Sequence, residues 1–332
     1  MEGTRERQAP PQPPARQPLL ETRATLCFPP RAMSELPVAS PLDVRDWRSR
    51  VAAHRARAEQ WTVAARKRRG ANRPHPVEDF LFTYYPFSFA KLEEWHPPAG
   101  IALEAAAPLP ACWTKPPYRQ EDHAVFADPA LLSHKEKARL HWLLDLLVAT
   151  RNRAPILACH GLHEWAMVYR GEQVRHAGTT SLRLPQVEID TLVESRPVRC
   201  SHFDAFRFFH SAAQPLNRLQ PTLSGRRDFE QPACIHANMD LYKWAFKAMP
   251  WVGSDLLLDC FELAIELRDL DMRASPYDLA AFGLEPVRIE TAEGRCEYER
   301  EQARLASKAA PLRQRLIDAL EFTIKHDDRF CI

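Results

Sequence analysis

IHANMDLYKWAFKAM, residues 235–249, is followed after four residues by SDLLLDCFELAIELRDL, residues 254–270. Both read as helices, and the second is strongly amphipathic, with Ser254 placed to cap it. Two consecutive helices set the class, and the flanking sequence extends it. Residues 42–69 read as a helix capped by Asp43, with Val44, Trp47, Val51, His54, Ala58 and Trp61 at helical spacing. Residues 133–151 form an amphipathic helix capped by Ser133. Residues 294–325 read as a last, charged helix interrupted near Pro311.

Strand signals are fewer. The Pro-rich segment 98–132 has short possible strands at 101–104 and 123–126. The best signals fall in 186–210, where Val187, Ile189, Val198 and Cys200 sit among polar alternates. Residues 271–291 read as a turn-rich connector, and 75–97 is dense in aromatics that belong in a core. The expectation is a mainly α protein with a small β element (α+β), as one compact domain over 43–325 with a tail at 326–332.

Composition narrows the function. The 332 residues are 45% hydrophobic, enough for a sizeable core, and the formal charge of +2 does not mark the whole chain as a polyanion binder. Only ten glycines occur, with no GxGxxG and no GxxxxGK[ST], which argues against dinucleotide and P-loop folds. The eight cysteines are single, with no CxxC pair, which suits reduced thiols in the cytoplasm. No apolar run reaches the ~18 residues of a membrane span. Residues 1–42 read as a disordered Pro-rich leader, with Met33 as a candidate true start. Over 43–73, ten Lys/Arg against Asp43, Asp46 and Glu59 leave a local charge of +7. The Arg66, Lys67, Arg68, Arg69 cluster is the candidate phosphate contact, against the commoner reading of a solvated face.

Four constellations could carry chemistry. ACHGLHEWAMVYR, 158–170, puts His160, His163 and Glu164 on one face if it is helical. The order His-x-x-His-Glu matches neither zinc-protease pattern, and a third ligand from His202, Asp204 or His236 is not specified by spacing. Histidines hydrogen-bonded inside the fold are the weightier reading. RCSHFDAFRFFH, 199–210, embeds Asp204 among phenylalanines with Arg207 as the local cation. Such a carboxylate is a general base or a structural ion pair in about equal measure. In HANMDLYKWAFK, 236–247, His236, Asp240, Lys243 and Lys247 share a helical face. In RDLDMRASPYDL, 268–279, alternating Arg268, Asp269, Asp271 and Arg273 read as a salt-bridge network at a helix end. A Cys159–His160 pair is weak, because adjacent side chains diverge.

Five stretches, HPVEDFLFTYY, GLHEWAMVYR, RCSHFDAFRFF, HANMDLYKWA and DMRASPYDLAAFGLEPVRIET, together resemble a family of bacterial proteins, frequent in actinobacteria, known as 3-methyladenine DNA glycosylases. The resemblance covers roughly 43–320. The chain departs from the helix-hairpin-helix class, whose Gly-rich hairpin it lacks, and from the helical-repeat class, so no catalytic residue transfers from either. The resemblance implies excision of alkylated purines, with DNA as partner and no cofactor. Glu164, Asp204 and Asp240 are then the candidate catalytic carboxylates. Trp165, Tyr169 and Trp244 would stack on the base, with His163, His202 and Arg207 beside them. Two other readings remain. One is a metal-dependent hydrolase or oxygenase using His160, His163, His202 and His236. The other is a non-enzymatic protein that binds a planar nucleobase-like ligand.

Overall fold

A computed structural model describes residues 41–171 and 180–327. The expected leader up to residue 40, and the tail beyond 327, lie outside the described residues. Among the described residues, eleven α-helices run in chain order: α1 Val44–Gly70, α2 Phe80–Tyr84, α3 Phe89–Glu93, α4 His134–Asn152, α5 Leu162–Met167, α6 Gln186–Ser195, α7 Phe203–Phe206, α8 Arg226–Phe229, α9 Ile235–Lys247, α10 Ser254–Arg273 and α11 Ala292–Asp327. Strands β1 Leu103–Glu104, β2 Tyr118–Glu121 and β3 Ala124–Ala127 form an antiparallel sheet in the order β1-β3-β2. The protein is mainly α with a small β element. No helix among the described residues is long and apolar enough to cross a membrane.

Helices α9 and α10 form the centre. Phe261 of α10 stacks on Phe82 at 5.4 Å and meets the edge of Tyr242 of α9 at 5.0 Å, while Trp61 of α1 closes on it at 6.0 Å. Helix α11 covers α9, α10 and α4. Its Pro311 does not interrupt it. The proline lies on the exposed side, while Ala309, Arg313 and Leu316 anchor the helix on both sides of it. A carbonyl displaced by the proline ring can therefore turn to water.

Several local expectations hold. Asp43 accepts from Asp46 N at the start of α1. Ser133 and Glu136 form a reciprocal capping box on α4. Others are corrected. Leu42 is not part of a disordered leader: its amide donates to Ala102 O at 2.9 Å and its carbonyl accepts from Glu104. Residues 186–195 are helical rather than extended. Ile189, Leu192 and Val193 recur at helical spacing and are buried, whereas Val187 is 70% exposed. Val198 keeps only one isolated bridge, to Asn217. Ser254 does not cap α10. Gly253, with φ +78°, holds that position, and Ser254 Oγ, fully buried, donates to Glu94 O and accepts from His96 N. Asp271 and Arg273 belong to α10 rather than to the connector, and α11 continues to Asp327.

Replacing Phe261 with Ala is expected to cost about 3–5 kcal/mol in urea unfolding, because four rings meet there and cannot close the cavity. Ser133→Ala, which removes one cap, should cost about 1 kcal/mol. Comparable losses for the two would contradict the placement of the core at α9 and α10.

Candidate functional site

The segment 158–170 is not one helix. His160 and Gly161 take positive φ (49° and 72°), and α5 begins only at Leu162. A Cβ at Gly161 would lie 3.1 Å from Ala274 Cβ, so the close approach as well as the backbone favours glycine. The turn sends His160 outward, where its Nε2 meets Glu299 Oε1 at 2.6 Å. His163 points inward and is buried. The two histidines therefore do not share a face.

His163 Nε2 donates to Asp271 Oδ1 at 2.7 Å, and its Nδ1 lies 3.3 Å from Cys159 Sγ. The partner of Cys159 is thus His163 rather than the adjacent His160. Arg268 Nη1 donates to Asp271 Oδ2 at 2.5 Å and to Glu164 Oε1 at 3.1 Å, with its guanidinium 3.8 Å over the Phe80 ring. The salt-bridge network expected at this helix end forms: Arg268 pairs with the fully buried Asp271, and Arg273 lies 3.7 Å from the partly exposed Asp269. Burial pushes the Asp271 carboxyl up, but His163, His236 and Arg268 more than offset it and hold it well below the usual carboxylate range. Burial and the nearby Asp271 charge raise Glu164. His163 is raised well above an ordinary imidazole: burial opposes its charge, and Cys159 and Asp271 outweigh that.

A second network surrounds Asp240, also fully buried. It accepts from Tyr85 Oη at 2.7 Å and from His202 Nε2 at 3.2 Å, and it pairs with Lys243. Arg226, on α8, lies 3.5 Å from Asp240 and 3.3 Å from Glu230, and bonds to Asp204. Lys243 also reaches Asp204 at 3.4 Å. Arg207, the cation the local sequence suggested, stands 3.4 Å from Asp204 but is an exposed, secondary partner. Burial raises Asp204 and Asp240, and in both the neighbouring cations prevail and hold the carboxyl low. His236 does not orient on Asp240 one turn along. Its ring stacks 5.5 Å from His202 and meets His163 at 4.6 Å, joining the two networks.

The carboxylates proposed from sequence thus divide: Asp204 and Asp240 share two cations, whereas Glu164 belongs with Arg268. Trp165 is fully buried, donates to Ala274 O at 2.8 Å and lies under Arg183 at 5.0 Å. Tyr169, also buried, donates to Glu194 at 2.6 Å. Both are core residues with satisfied polar ends, not walls of an open base pocket. Trp244 is different. Lys243, Lys247 and Arg226 stand 4.3, 5.5 and 5.9 Å from its ring, and Trp142, 39% exposed, meets its edge at 5.4 Å. On α1 the basic cluster is mostly spoken for. Arg66 pairs with Glu93, Arg68 with Glu78 and Asp79, and Arg69 with Phe82 O and the Phe89 ring, leaving Lys67 exposed.

Ligand atoms of His163, Glu164, His236 and Asp271 lie within 4.8 Å of one another, as do those of His202, Glu230 and Asp240. Each group already contains a cation bonded to its carboxylates, Arg268 in one and Arg226 with Lys243 in the other. Both ring nitrogens of His163 are also engaged. A metal would have to displace a guanidinium, so these are ion-pair networks rather than ligand sets, and His160 stands outside both. Sequence reasoning missed Asp271 and Arg268 as central groups. The signal was available: Asp271 falls in register with Cys260, Ala264 and Leu267 on the buried side of α10.

Stability should follow these groups. Burial lowers His236 from 6.5 to about 3, so the unfolded chain takes up its proton first as pH falls. The stability present above 6.5 is then lost progressively down to about 3. His163 runs the other way: its contribution is complete below 6.5 and is lost as pH rises through its raised value, so it adds no slope below 6.5. Asp240 and Asp271 contribute above their unfolded value of 3.8 and lose that contribution as pH falls below it. Between pH ~6.5 and ~4, each such proton adds a slope of up to about 1.4 kcal/mol per pH unit. His236→Asn should flatten that slope in urea titrations, and an unchanged slope would remove His236 as its source. Set against protein-family models, curated proteins and solved structures, the chain finds no match in any of the three.

Proposed function

We propose that the protein is a DNA base-excision N-glycosylase acting on alkylated purines such as 3-methyladenine, with Asp204 as the carboxylate at the reacting bond. The observation that carries this reading is Asp204 at the solvent edge, paired with Arg226 and Lys243, the cations that lie over the Trp244 ring. The Asp204 side chain is 17% exposed, against 1% for Asp240. Glu164 is shifted toward its neutral form, whereas Asp204 is held charged.

The chemistry suits that arrangement. An alkylated purine already carries positive charge and leaves readily, so the demand falls on the sugar, which becomes an oxocarbenium ion. A fixed carboxylate stabilises that cation and can orient the attacking water. No metal is required. The DNA backbone is assigned to the face of α4 and α9 rather than to α1. There Lys243, Lys247 and Arg226 stand over Trp244, whose ring meets the edge of exposed Trp142, while Arg66 and Arg68 of α1 are paired with acidic residues. Lys247 is pushed down by burial and then by Lys243, Arg226 and Arg139, as expected where cations crowd without enough counter-charge. An extruded base can stack on exposed Trp142, worth about 1–3 kcal/mol.

Release of free base from methylated DNA tests the proposal. Asp204→Asn should lower the rate at least ~100-fold, in the range of a lost charge-stabilising group. Trp142→Ala should weaken DNA binding about tenfold. No release by the intact protein rules the activity out, and full activity in Asp204→Asn removes that residue from the role. Thermal stabilisation by a nucleobase without any release would instead mark a binding protein.

A further inference from the structure

The chain leaves α3 at Glu94 in an extended conformation. Neighbouring side chains on such a backbone point to opposite sides. Trp95 is buried in the core, and Glu94 and His96 come together, with His96 Nε2 3.3 Å from Glu94 Oε2. Ser254 clamps this segment with three bonds of 2.9 Å. Its amide donates to His96 O, its Oγ donates to Glu94 O, and His96 N donates to its Oγ. A single turn, Ala111–Thr114, brings Cys112 to the same place. Trp113 anchors that turn, meeting Trp95 at 6.0 Å and Trp47 at 5.2 Å. A carboxylate, an imidazole and a thiol thus converge, with ligand atoms within 4.8 Å of one another.

This cluster differs from the two ion-pair networks. Those hold Arg268, or Arg226 with Lys243, against their carboxylates. Here the cation on Glu94 is Lys91, whose side chain is 60% exposed and can swing into water. Such a surface pair is easily given up. His96 also differs from His163. Its Nδ1 lies 2.8 Å from Tyr118 Oη, which leaves Nε2 directed at the cluster. Burial lowers His96, which favours the neutral imidazole that metals bind. A ligating histidine commonly donates its other ring N–H to a fixed acceptor, and Tyr118 Oη stands where that acceptor belongs. Ligand atoms around tetrahedral zinc are about 3.5 Å apart, close to the separation of Nε2 and Oε2.

We propose that Glu94, His96 and Cys112 bind one Zn2+, with a fourth position left for water on the solvent side of Glu94. Sulfur, nitrogen and oxygen donors in one set suit zinc, whereas Mg2+ and Ca2+ take oxygen ligands alone. Burial and the Glu94 charge push the Cys112 thiol up to about 12, so sulfur carries a proton before the metal arrives. Zinc takes the place of that proton, which passes to solvent. The bound ion ties the segment after α3 to the turn before β2. None of its ligands belongs to the face assigned to base release, so the two readings stand or fall separately.

The full-length protein, stripped with a chelator and kept reduced, is titrated with Co2+ as a spectroscopic probe. One equivalent should produce the visible bands of tetrahedral cobalt and a thiolate-to-cobalt charge-transfer band in the near ultraviolet. One equivalent of Zn2+ should then remove both. Cys112→Ser should abolish the charge-transfer band, and Cys159→Ser, at the thiol beside His163, should keep it. Glu94→Gln alters a partly exposed side chain without entering the core, and should weaken cobalt binding about tenfold or more. Tyr118→Phe, which releases the His96 ring, should weaken it about 10–100-fold. Circular dichroism establishes that each variant is folded. Absence of the charge-transfer band in the intact protein, its survival in Cys112→Ser, or displacement of cobalt by excess Mg2+ overturns the proposal. Unchanged affinity in Tyr118→Phe removes that residue as the group that orients His96. Base release, assayed without added metal, is unaffected by either result.

Discussion

The buried contact between Asp271 and the two cations that hold it, His163 and Arg268, is the constraint on which the centre of the molecule depends. A carboxylate taken wholly out of water is costly unless hydrogen bonds and opposite charges replace its solvent. Here the imidazole takes one oxygen and the guanidinium the other. Each cation comes with its own tie: His163 to Cys159, Arg268 to Glu164 and the Phe80 ring. Fixing one carboxylate therefore fixes α5, α10 and the start of α2 relative to one another.

The same logic recurs on α9. Asp240 is satisfied by Tyr85, His202 and Lys243, and Arg226 brings α8 and Asp204 into the cluster. His236 touches both networks through its ring. Breaking one partner leaves the rest with uncompensated buried charge, so such networks specify a unique arrangement more than they add to stability. They also create two different carboxylates. Asp204 remains charged at an edge lined by tryptophan and cations, while Glu164 is shifted toward neutrality in the interior. That separation is what assigns them different chemical prospects.

Much of the fold was legible from local pattern. The long helices α1, α4, α9 and α10 follow from apolar spacing, and the caps at Asp43 and Ser133 from hydroxyl and carboxyl side chains before it. The strands near 103 and 124 were visible, whereas β2 was not, because Tyr118–Glu121 presents a single buried side chain. Residues 186–195 misled because alternating Val187 and Ile189 imitate a strand; only packing shows that Ile189, Leu192 and Val193 form the buried side of a helix. The candidate site was partly legible. Asp204, Asp240, His163 and His202 were singled out, but their partners Arg226, Glu230 and Tyr85 lie on other elements, and Asp271 was read only as part of a helix-end salt-bridge network.

The sequence by itself determined the helical class, the positions of its main helices and the residue types available for chemistry, because these depend on spacing within one element. The tertiary structure alone decided which charges meet. Arg66, Arg68 and Arg69 look like a phosphate patch until Glu93, Asp79 and Phe82 are brought against them. Cys159 and His163 look unrelated until a left-handed turn at His160 and Gly161 directs one thiol at one imidazole. An ion pair requires contact within about 4 Å, and residues more than a hundred positions apart reach that distance only when the whole core has closed around them.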